Sequence, residues 1–450
     1  MTTSFGRCKV FQNNNNHPFE RRQTMHQAKL SDIHSIEIID NRGMPTIRAT
    51  VQTNTDHKGT ADVPCGSSTG AYEAQEVRDG GSRYQGKGVR KAIQNINEKI
   101  LPALKGIDIT RQREIDRIMC EIDGTPNKSS LGANAILGVS LAAAKAAAAC
   151  CGLPLYRYLN VGSHVLPVPQ ACLLNGGLHA GNDLDIQEYS VMPVGATSFS
   201  RAVEMLCDIF QALRELLLKS IGKSAVNSSE DGGFAPPLNR SAEAMNFLVQ
   251  AVETAGYGKD VVYALDFAAS GFYDPEKKIY RFEGETYTAD GMIEMIGHLI
   301  EKFPEIVSIE DPLHEDDLKG WQKLTRTFSD RMVVGDDLFA TNIGRLRQAV
   351  PIGVANATLC KVNQIGTLTE AMDAARYAQR NGYPVVMSVR SGETEDEVLS
   401  DVSVALDAGL FKTGGIRGSD RGTNYNRFME IEFELGGLAQ YAGRDYKRLV

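Results

Sequence analysis

The sequence has a single tryptophan and carries no surplus of positive charge. Its eight cysteines form no Cys-X-X-Cys motif, which is typical of reduced, mostly buried thiols in an intracellular protein. The net charge of −8 and the isoelectric point near 5.6 disfavour nonspecific binding to nucleic acid or to acidic membranes. We therefore expect neither nucleic acid nor a membrane as a partner.

The sequence also has no uninterrupted hydrophobic run of membrane-spanning length. Residues 131–151 are apolar, but Asn134, Ser140 and Lys145 interrupt them and predict a buried helix of a globular protein. The amino terminus has no signal-peptide core, so we expect a cytoplasmic protein. Residues 1–28 show no periodicity and predict a disordered extension.

The second half of the chain contains short, β-branched apolar runs that each end on a charge. Most intervals between these charges match one βα unit, about 25 to 30 residues. Such runs are typical of strands buried on both faces of a parallel sheet. If the sheet closes into a barrel, the carboxyl ends of its strands meet at one mouth, where barrel enzymes keep their chemistry. The charges that follow the runs are Asp266, Glu310, Asp336, Lys361 and Arg390.

A single charge after a strand more often begins a solvated loop than an active site. Five charged residues in succession, each at the end of an apolar run, favour an active site. Three carboxylates around one point repel each other unless a hard cation lies between them, and oxygen ligands suit Mg²⁺. A lysine beside a divalent cation has its pKa lowered and can act as a base. The pattern therefore predicts proton abstraction next to a carboxylate, with Mg²⁺ stabilising the enediolate.

The first half of the chain predicts a smaller α+β domain over residues 29–160. Strand-like patterns begin near Ser31, a small polar loop follows at 65–70, and three helices come next. The third helix is rich in alanine and ends before Gly152 and Pro154. A second domain is predicted from Val165 to the end of the chain, over residues 165–450.

Several longer motifs resemble, in order along residues 31–445, those of the enolase family. The resemblance implies an α/β fold with a small amino-terminal domain, a carboxy-terminal (β/α)8-type barrel and a homodimer. It also implies a Mg²⁺-dependent carbon–oxygen lyase that interconverts 2-phosphoglycerate and phosphoenolpyruvate in glycolysis. Sites of the enolase superfamily are known to combine a lysine or histidine base with one or two Mg²⁺ ions. The motifs are GANAILGVSLAAAKAAA, LLNGGLHAG, VSIEDP, GDDLFATN, KVNQIGTLTEA, RSGETED and KTGG.

The resemblance implies two Mg²⁺ sites and a lysine base. Asp266, Glu310 and Asp336 match the ligands of the first Mg²⁺, and Glu310 also borders the substrate. Ser68 corresponds to the serine that helps to hold a second Mg²⁺ together with the phosphate. Lys361 corresponds to the base that removes the C2 proton.

The remaining implied residues bind the phosphorylated carboxylic acid or assist the acid side of the reaction. Glu188 matches the carboxylate that supports the acid side, and His179 lies on a closing loop. Arg390 and Ser391 match phosphate contacts, and Lys412 matches a lysine on the carboxylate side.

Four positions depart from the family pattern. Asp231 stands where the family has the glutamate that helps to expel the C3 hydroxyl, so it is the candidate catalytic acid here. Val389 replaces an active-site histidine and cannot donate a proton. Cys65 and Leu178 replace serines in the two loops. The departures lie on the acid and substrate-recognition side, whereas the predicted metal and base residues are intact.

Three hypotheses follow from this asymmetry. The chain is an enolase that tolerates the changes, or a diverged homologue that acts on a related phosphorylated or phosphonate acid. The carboxyphosphonoenolpyruvate synthase of phosphonate antibiotic biosynthesis is an example of the second kind. A non-catalytic paralogue is the third, and the intact cluster of like charges argues against it.

Overall fold

The computed structural model describes residues 28–67 and 69–447. Almost all of the predicted extension, and Ser68, lie outside the described residues. The amino-terminal part begins with three antiparallel strands, Leu30–Ile39 (β1), Pro45–Thr53 (β2) and Lys58–Asp62 (β3). In β2 the buried residues Ile47, Ala49 and Val51 alternate with more exposed ones, as expected for a sheet with one covered face.

Helices cover this sheet in the order that the sequence predicts. The first predicted helix is continuous in the structure but contains a π-helical turn at Ile96–Ile100. The five helices are Arg90–Asn95 (α1), Leu101–Leu104 (α2), Gln112–Asp123 (α3), Ala133–Cys151 (α4) and Leu155–Leu159 (α5).

Helix α4 is the central helix of the amino-terminal part. It packs directly on β3, where a Cβ at Gly59 would lie 2.2 Å from the Ala142 carbonyl oxygen, so this close approach requires glycine. The helix is long and apolar enough to cross a membrane, yet 78% of its most apolar window is buried inside the protein. The core helix of a globular protein has the same properties.

The carboxy-terminal part contains a closed barrel of eight strands. The strands of this part are Val165–Leu166 (β4), Val168–Asn175 (β5), Glu188–Met192 (β6), Val262–Asp266 (β7), Tyr273–Asp274 (β8), Ile279–Phe282 (β9), Glu285–Tyr287 (β10), Ile306–Glu310 (β11), Met332–Gly335 (β12), Ala357–Cys360 (β13), Val385–Ser388 (β14), Leu410–Gly414 (β15) and Gln440–Tyr441 (β16). Around the barrel the strand order is β11-β12-β13-β14-β15-β5-β6-β7, and three smaller strand groups of the described residues lie outside it.

The predicted barrel is confirmed, with one difference in strand direction. Strand β6 runs antiparallel to both β5 and β7, whereas the other neighbouring pairs are parallel. The connection from β5 to β6 contains only the short 3₁₀ turn Gly177–His179 and no crossover helix, so the two strands form a hairpin. As a result Glu188, the first residue of β6, pairs with Asp266, the last residue of β7.

The helices of the carboxy-terminal part follow the strands. Helix Leu368–Arg380 begins after Thr367, whose side chain accepts a hydrogen bond from the Glu370 amide at 3.1 Å. The helices are Phe199–Ser220 (α6), Ser241–Thr254 (α7), Ala289–Lys302 (α8), Leu318–Thr327 (α9), Ile343–Ala349 (α10), Val362–Ile365 (α11), Leu368–Arg380 (α12), Val398–Ala405 (α13) and Ser419–Leu435 (α14).

Candidate active site

A polar pocket lies at the mouth of the barrel, where the parallel strands end. All predicted site residues that the structure describes line it, except Glu310, which contacts the lining residue Lys412. Ser68 lies outside the described residues. The charged and polar side chains of the lining are Glu73, His179, Gln187, Glu188, Asp231, Asp266, Asp311, Asp336, Asp337, Lys361, Ser388, Arg390, Ser391 and Lys412.

Lys412, on strand β15, is surrounded by three acids. Its Nζ atom lies 2.8 Å from Asp266 Oδ2, 2.8 Å from Glu310 Oε1 and 3.1 Å from Glu188 Oε1. Burial lowers the pKa of Lys412, but these carboxylates more than reverse that effect and hold the pKa well above its ordinary value. Lys412 is therefore a fixed positive charge at the centre of the pocket.

Lys361 follows strand β13 and faces Asp336, to which its Nζ atom donates a short hydrogen bond. Gln364 Nε2 donates to the other oxygen of Asp336 at 2.7 Å, and Thr341 holds Gln364 in turn. Burial lowers the pKa of Lys361, but the carboxylates around it, Asp336 first and Glu310 with it, together outweigh burial and leave the pKa raised. The lowered pKa that the sequence predicts for this lysine applies beside a bound divalent cation and stays a prediction.

A second group of acids lies beside Asp336. Asp311 follows strand β11, and its carboxylate accepts the backbone N–H groups of Asp336 at 2.9 Å and Asp337 at 2.8 Å. Burial and the neighbouring Asp336 raise the pKa of Asp337 to about 7. Carboxylate oxygens of these three acids lie within 4.8 Å of one another, as do ligand atoms of His179, Glu188 and Asp231.

The predicted metal ligands are close together but do not form one compact group. The ammonium of Lys412 lies between Asp266 and Glu310, and Asp336 is grouped with other acids. Burial first and then Asp266 raise the pKa of Glu310 well above its ordinary value despite Lys412. Three carboxylates, those of Glu188, Asp266 and Glu310, share the single ammonium of Lys412, so negative charge is in excess there. Oxygen donors with an excess of negative charge fit a hard cation such as Mg²⁺.

His179 and Asp231 form a buried pair on the other side of the pocket. The two side chains lie 2.5 Å apart, between His179 Nδ1 and Asp231 Oδ2, and Asn175 Nδ2 donates to Asp231 at 3.1 Å. Burial lowers the pKa of His179, but Asp231 reverses the effect and leaves the pKa raised. Burial raises the pKa of Asp231, and His179 and Arg421 outweigh it, so this pKa is lowered.

Two buried atoms of this region have no hydrogen-bond partner among the described residues. They are His179 Nε2 and Glu188 Oε2. Burial raises the pKa of Glu188 to about 6, against the opposing charge of Lys412. Since buried polar atoms normally have partners, these two indicate where a polar ligand is bound.

Arg390 extends into the pocket from the end of strand β14. Its Nη1 atom donates to Glu73 Oε2 at 2.8 Å and to Asn363 at 3.1 Å. The fully buried Arg421 donates to the carbonyl oxygens of Arg390 at 2.6 Å and Ser391 at 2.8 Å. The contacts with Glu73 and Asn363 thus fix the guanidinium of Arg390, and Ser391 follows it directly in the chain.

The four departures from the family pattern lie at different depths. Val389 lines the pocket and is 6% exposed, whereas Leu178 is 70% exposed on the turn before His179. Cys65 is half-buried, and Arg78 donates to its Sγ atom at 3.2 Å. Asp231 is the only one of the four with a direct charge partner in the pocket.

The sequence reasoning did not select Glu73, Gln364, Arg421 or the pair Asp311 and Asp337. Glu73 and Arg421 lie far from the strand ends in sequence and meet the pocket only through tertiary structure. Asp311 and Asp337 had a local signal, because each directly follows an acid that the strand-end pattern selected.

Comparisons with known proteins agree with the geometry. A family model described as "Enolase, C-terminal TIM barrel domain" matches residues 163–450, and one described as "Enolase, N-terminal domain" matches residues 30–159. A protein named enolase from Methanocaldococcus jannaschii is 52% identical over 420 residues, which covers 93% of this chain and 98% of that protein. Enolases from Thermococcus kodakarensis and Corynebacterium kroppenstedtii are 49% and 48% identical, again over 93% of this chain and 98% of each protein.

Proposed function

Because this chain belongs to the enolase family, we propose that it catalyses the interconversion of 2-phosphoglycerate and phosphoenolpyruvate. It is a lyase with the family's barrel. The observation that carries the proposal is the ammonium of Lys361 at the barrel mouth, beside buried carboxylates and across the pocket from a histidine–aspartate pair. This arrangement places a base and an acid side around one small polar pocket.

Lys361 is the proposed base for the C2 proton. To accept a proton it must be neutral, and Asp336 opposes this because its charge raises the pKa of the lysine. A cation that neutralises the charge of Asp336 therefore lowers the pKa of Lys361 and favours its neutral form. Gln364 holds the Asp336 side chain in place through its own hydrogen bond.

The acid side is assigned to Glu188, Asp231 and His179. Glu188, whose pKa burial raises to about 6, keeps its Oε2 atom free toward the pocket. Asp231 has a lowered pKa and is held by His179 and Asn175, so it acts through the histidine. The free Nε2 atom of His179 then faces the departing C3 hydroxyl.

A small phosphorylated acid is the substrate. We assign its phosphate to Arg390 and Ser391, and its carboxylate to the side of the pocket that contains Lys412 and Glu310. Guanidinium groups suit phosphate because they donate two parallel hydrogen bonds. Glu73 accepts hydrogen bonds from both Nη atoms of Arg390, and Arg421 donates to its backbone carbonyl oxygen, so Arg390 is held at the edge of the pocket.

Mg²⁺ is the cofactor that the family implies. We assign Asp266, Glu310 and Asp336 to a first ion and Ser68 to a second. When bound, Mg²⁺ supplies positive charge that stabilises the enediolate and its carboxylate. The fit rests on the three carboxylates that share the one ammonium of Lys412 and on the oxygen character of the donors.

Some broader features are also proposed. We propose two domains over residues 29–160 and 165–450, and the family models, which match residues 30–159 and 163–450, support this division. We propose a cytoplasmic homodimer, supported by exposed apolar side chains on β1 and α14. These are Ile36, Ile39 and Phe433, which are 43%, 62% and 89% exposed.

The direct test is to incubate the protein with 2-phosphoglycerate and Mg²⁺ in heavy water and to follow the reaction by NMR. The expected result is exchange of the C2 proton together with accumulation of phosphoenolpyruvate. Exchange of the C2 proton without formation of phosphoenolpyruvate would mean that the enzyme completes its reaction only on another phosphorylated or phosphonate acid. The curated relatives, all named enolase at about half identity, do not favour that alternative. If neither reaction occurs although Mg²⁺ raises the melting temperature, 2-phosphoglycerate is not the substrate.

A further inference from the structure

The turn between β1 and β2 contacts the rim of the pocket. Arg42 Nη1 donates to Ser67 Oγ at 2.6 Å and to Ser391 Oγ at 3.3 Å. Asn41 Nδ2 donates to the carbonyl oxygen of Ser391 at 3.1 Å. The contact needs glycine at position 392, because a Cβ there would lie 2.1 Å from Arg42 Nη2. The amino-terminal part therefore fixes one edge of the pocket.

Ser67 joins three segments of the chain at this edge. Its hydroxyl donates to Glu230 Oε2 at 2.5 Å and accepts from Arg42, and its backbone N–H donates to Ser391 Oγ at 2.7 Å. A serine hydroxyl has one proton and two lone pairs, so giving the proton to Glu230 leaves the lone pairs for Arg42. By accepting this proton, Glu230 determines which hydrogen bonds the Ser67 hydroxyl donates and which it accepts.

The consecutive acids Glu230 and Asp231 point in opposite directions. Asp231 is 4% exposed and pairs with His179 inside the pocket, whereas Glu230 is exposed and contacts Ser67 at the rim. A glutamate side chain is longer than aspartate by one methylene, about 1.5 Å of reach. Glu230 thus reaches Ser67, and the shorter Asp231 contacts His179.

We propose that Glu230 is a positioning residue that orients Ser67 and, through Ser67, the hydroxyl of Ser391 beside Arg390. The proposal rests on the proposed function, in which Ser391 and Arg390 bind the substrate phosphate. Glu230 itself does not line the pocket. Its loss is therefore expected to weaken substrate binding and to leave the proton-transfer groups in place.

A double-mutant cycle of Glu230→Gln and Ser67→Ala tests the contact. Each single variant is expected to raise KM for 2-phosphoglycerate about three- to tenfold with kcat within about twofold, because binding equal in ground and transition states is lost. The double variant is expected to match the weaker single variant, since residues in contact are not additive. Multiplicative effects, an unchanged KM in both single variants, or a fall in kcat alone would overturn the proposal.

Conservative variants separate reach from charge. Glu230→Asp keeps the charge but loses reach, so it is expected to behave like Glu230→Gln, and wild-type behaviour would refute the contact. Ser67→Thr keeps the hydroxyl and is expected to stay near wild type; a KM as high as that of Ser67→Ala would also refute it. Ser228→Ala is the matched control, because this exposed hydroxyl bonds only to the neighbouring Ser229 carbonyl.

A second measurement does not depend on the reaction. Hydrogen exchange of peptides covering residue 67 is expected to be faster in Glu230→Gln than in the wild type, because the Ser67 amide loses its fixed partner. Equal exchange rates would overturn the proposal even if the enzyme is active. If the wild type fails to convert 2-phosphoglycerate yet exchange responds to Glu230→Gln, the proposed function fails while the contact stands.

Discussion

The pocket has two walls that are built differently. The lysine wall consists of Lys361, Lys412 and the carboxylates of Asp266, Glu310 and Asp336. Lys412 is the middle residue of β15, and the other four lie at or next to strand ends. Each of these carboxylates is paired with a lysine. The histidine wall consists of His179, Asp231 and Glu188, of which the first two lie on connections. Its His179 Nε2 and Glu188 Oε2 atoms are buried and have no hydrogen-bond partner among the described residues.

On the lysine wall the charged groups already contact one another, whereas on the histidine wall two buried polar atoms have no partner among the described residues. On the lysine wall, adjacent strands of a closed barrel set the distances between the charges, and the ammonium groups compensate buried carboxylates. On the histidine wall, His179 Nε2 and Glu188 Oε2 are held in place but form no hydrogen bond with any described residue. The lysine wall is therefore expected to tolerate substitution least.

The largest effect is expected for Lys361→Ala. Loss of a general base costs about 10²- to 10⁴-fold, so C2 proton exchange should fall to the lower limit of detection. Binding of Mg²⁺ should persist, because the carboxylate of Asp336 remains. NMR in heavy water measures the exchange, and the Mg²⁺-dependent melting temperature measures binding.

The control for this prediction is Lys219→Ala, which removes an exposed lysine from the last turn of α6. It should leave both measurements unchanged. Retained C2 exchange in Lys361→Ala would show that the base is another residue and would contradict the role given to Lys361 on the lysine wall.

Lys412→Met tests the charge balance of the lysine wall. Removing one partner of a buried ion pair costs about 3 to 5 kcal/mol of unfolding free energy, since Asp266 and Glu310 lose their common cation. In EDTA the variant should melt well below the wild type, and Mg²⁺ should raise its melting temperature more than it raises that of the wild type. Lys323→Met, which breaks the exposed pair with Asp290, should change little. Equal responses of Lys412→Met and wild type to Mg²⁺ would contradict the idea that Lys412 and the cation share these carboxylates.

Asp231→Asn tests the histidine wall. The variant keeps the shape but removes the charge that raises the pKa of His179. We take protonated His179 as the active form. Because Asp231 raises the pKa of His179, this form persists to higher pH in the wild type than in Asp231→Asn. In a plot of kcat against pH, the alkaline limb of Asp231→Asn should therefore lie at lower pH. The rate at neutral pH should fall about 10²-fold. An alkaline limb that does not move would mean that Asp231 does not act through His179.

The lysine wall was largely predictable from sequence, and the reason is geometric. Parallel strands of a barrel place their carboxyl ends at one mouth, so a run that ends in a charge already locates that charge. Asp266, Glu310, Asp336 and Lys361 all followed this rule. The rule could not assign Glu188, because it opens a strand that runs in the opposite direction.

The histidine wall and the rim depended on contacts between segments distant in sequence. Asp231 meets His179 across 52 residues, and Glu73 meets Arg390 across 317 residues. No local period or cap marks such pairs. The family resemblance located His179 and Asp231, but only the structure brought Glu73 and Arg421 to the pocket.

The smallest effect is expected for the double variant Asp231→Glu with Val389→His, which restores the usual family residues. The extra methylene must fit at a buried site already in contact with His179 and Asn175, and overpacking of this kind costs about 1 to 3 kcal/mol. We therefore expect a lower melting temperature and no gain in dehydration of 2-phosphoglycerate. Steady-state rates and thermal unfolding of the single and double variants measure both effects. A clear gain in rate would show that the histidine wall is a weakened form of the family site, and that the lysine wall alone has kept its full function.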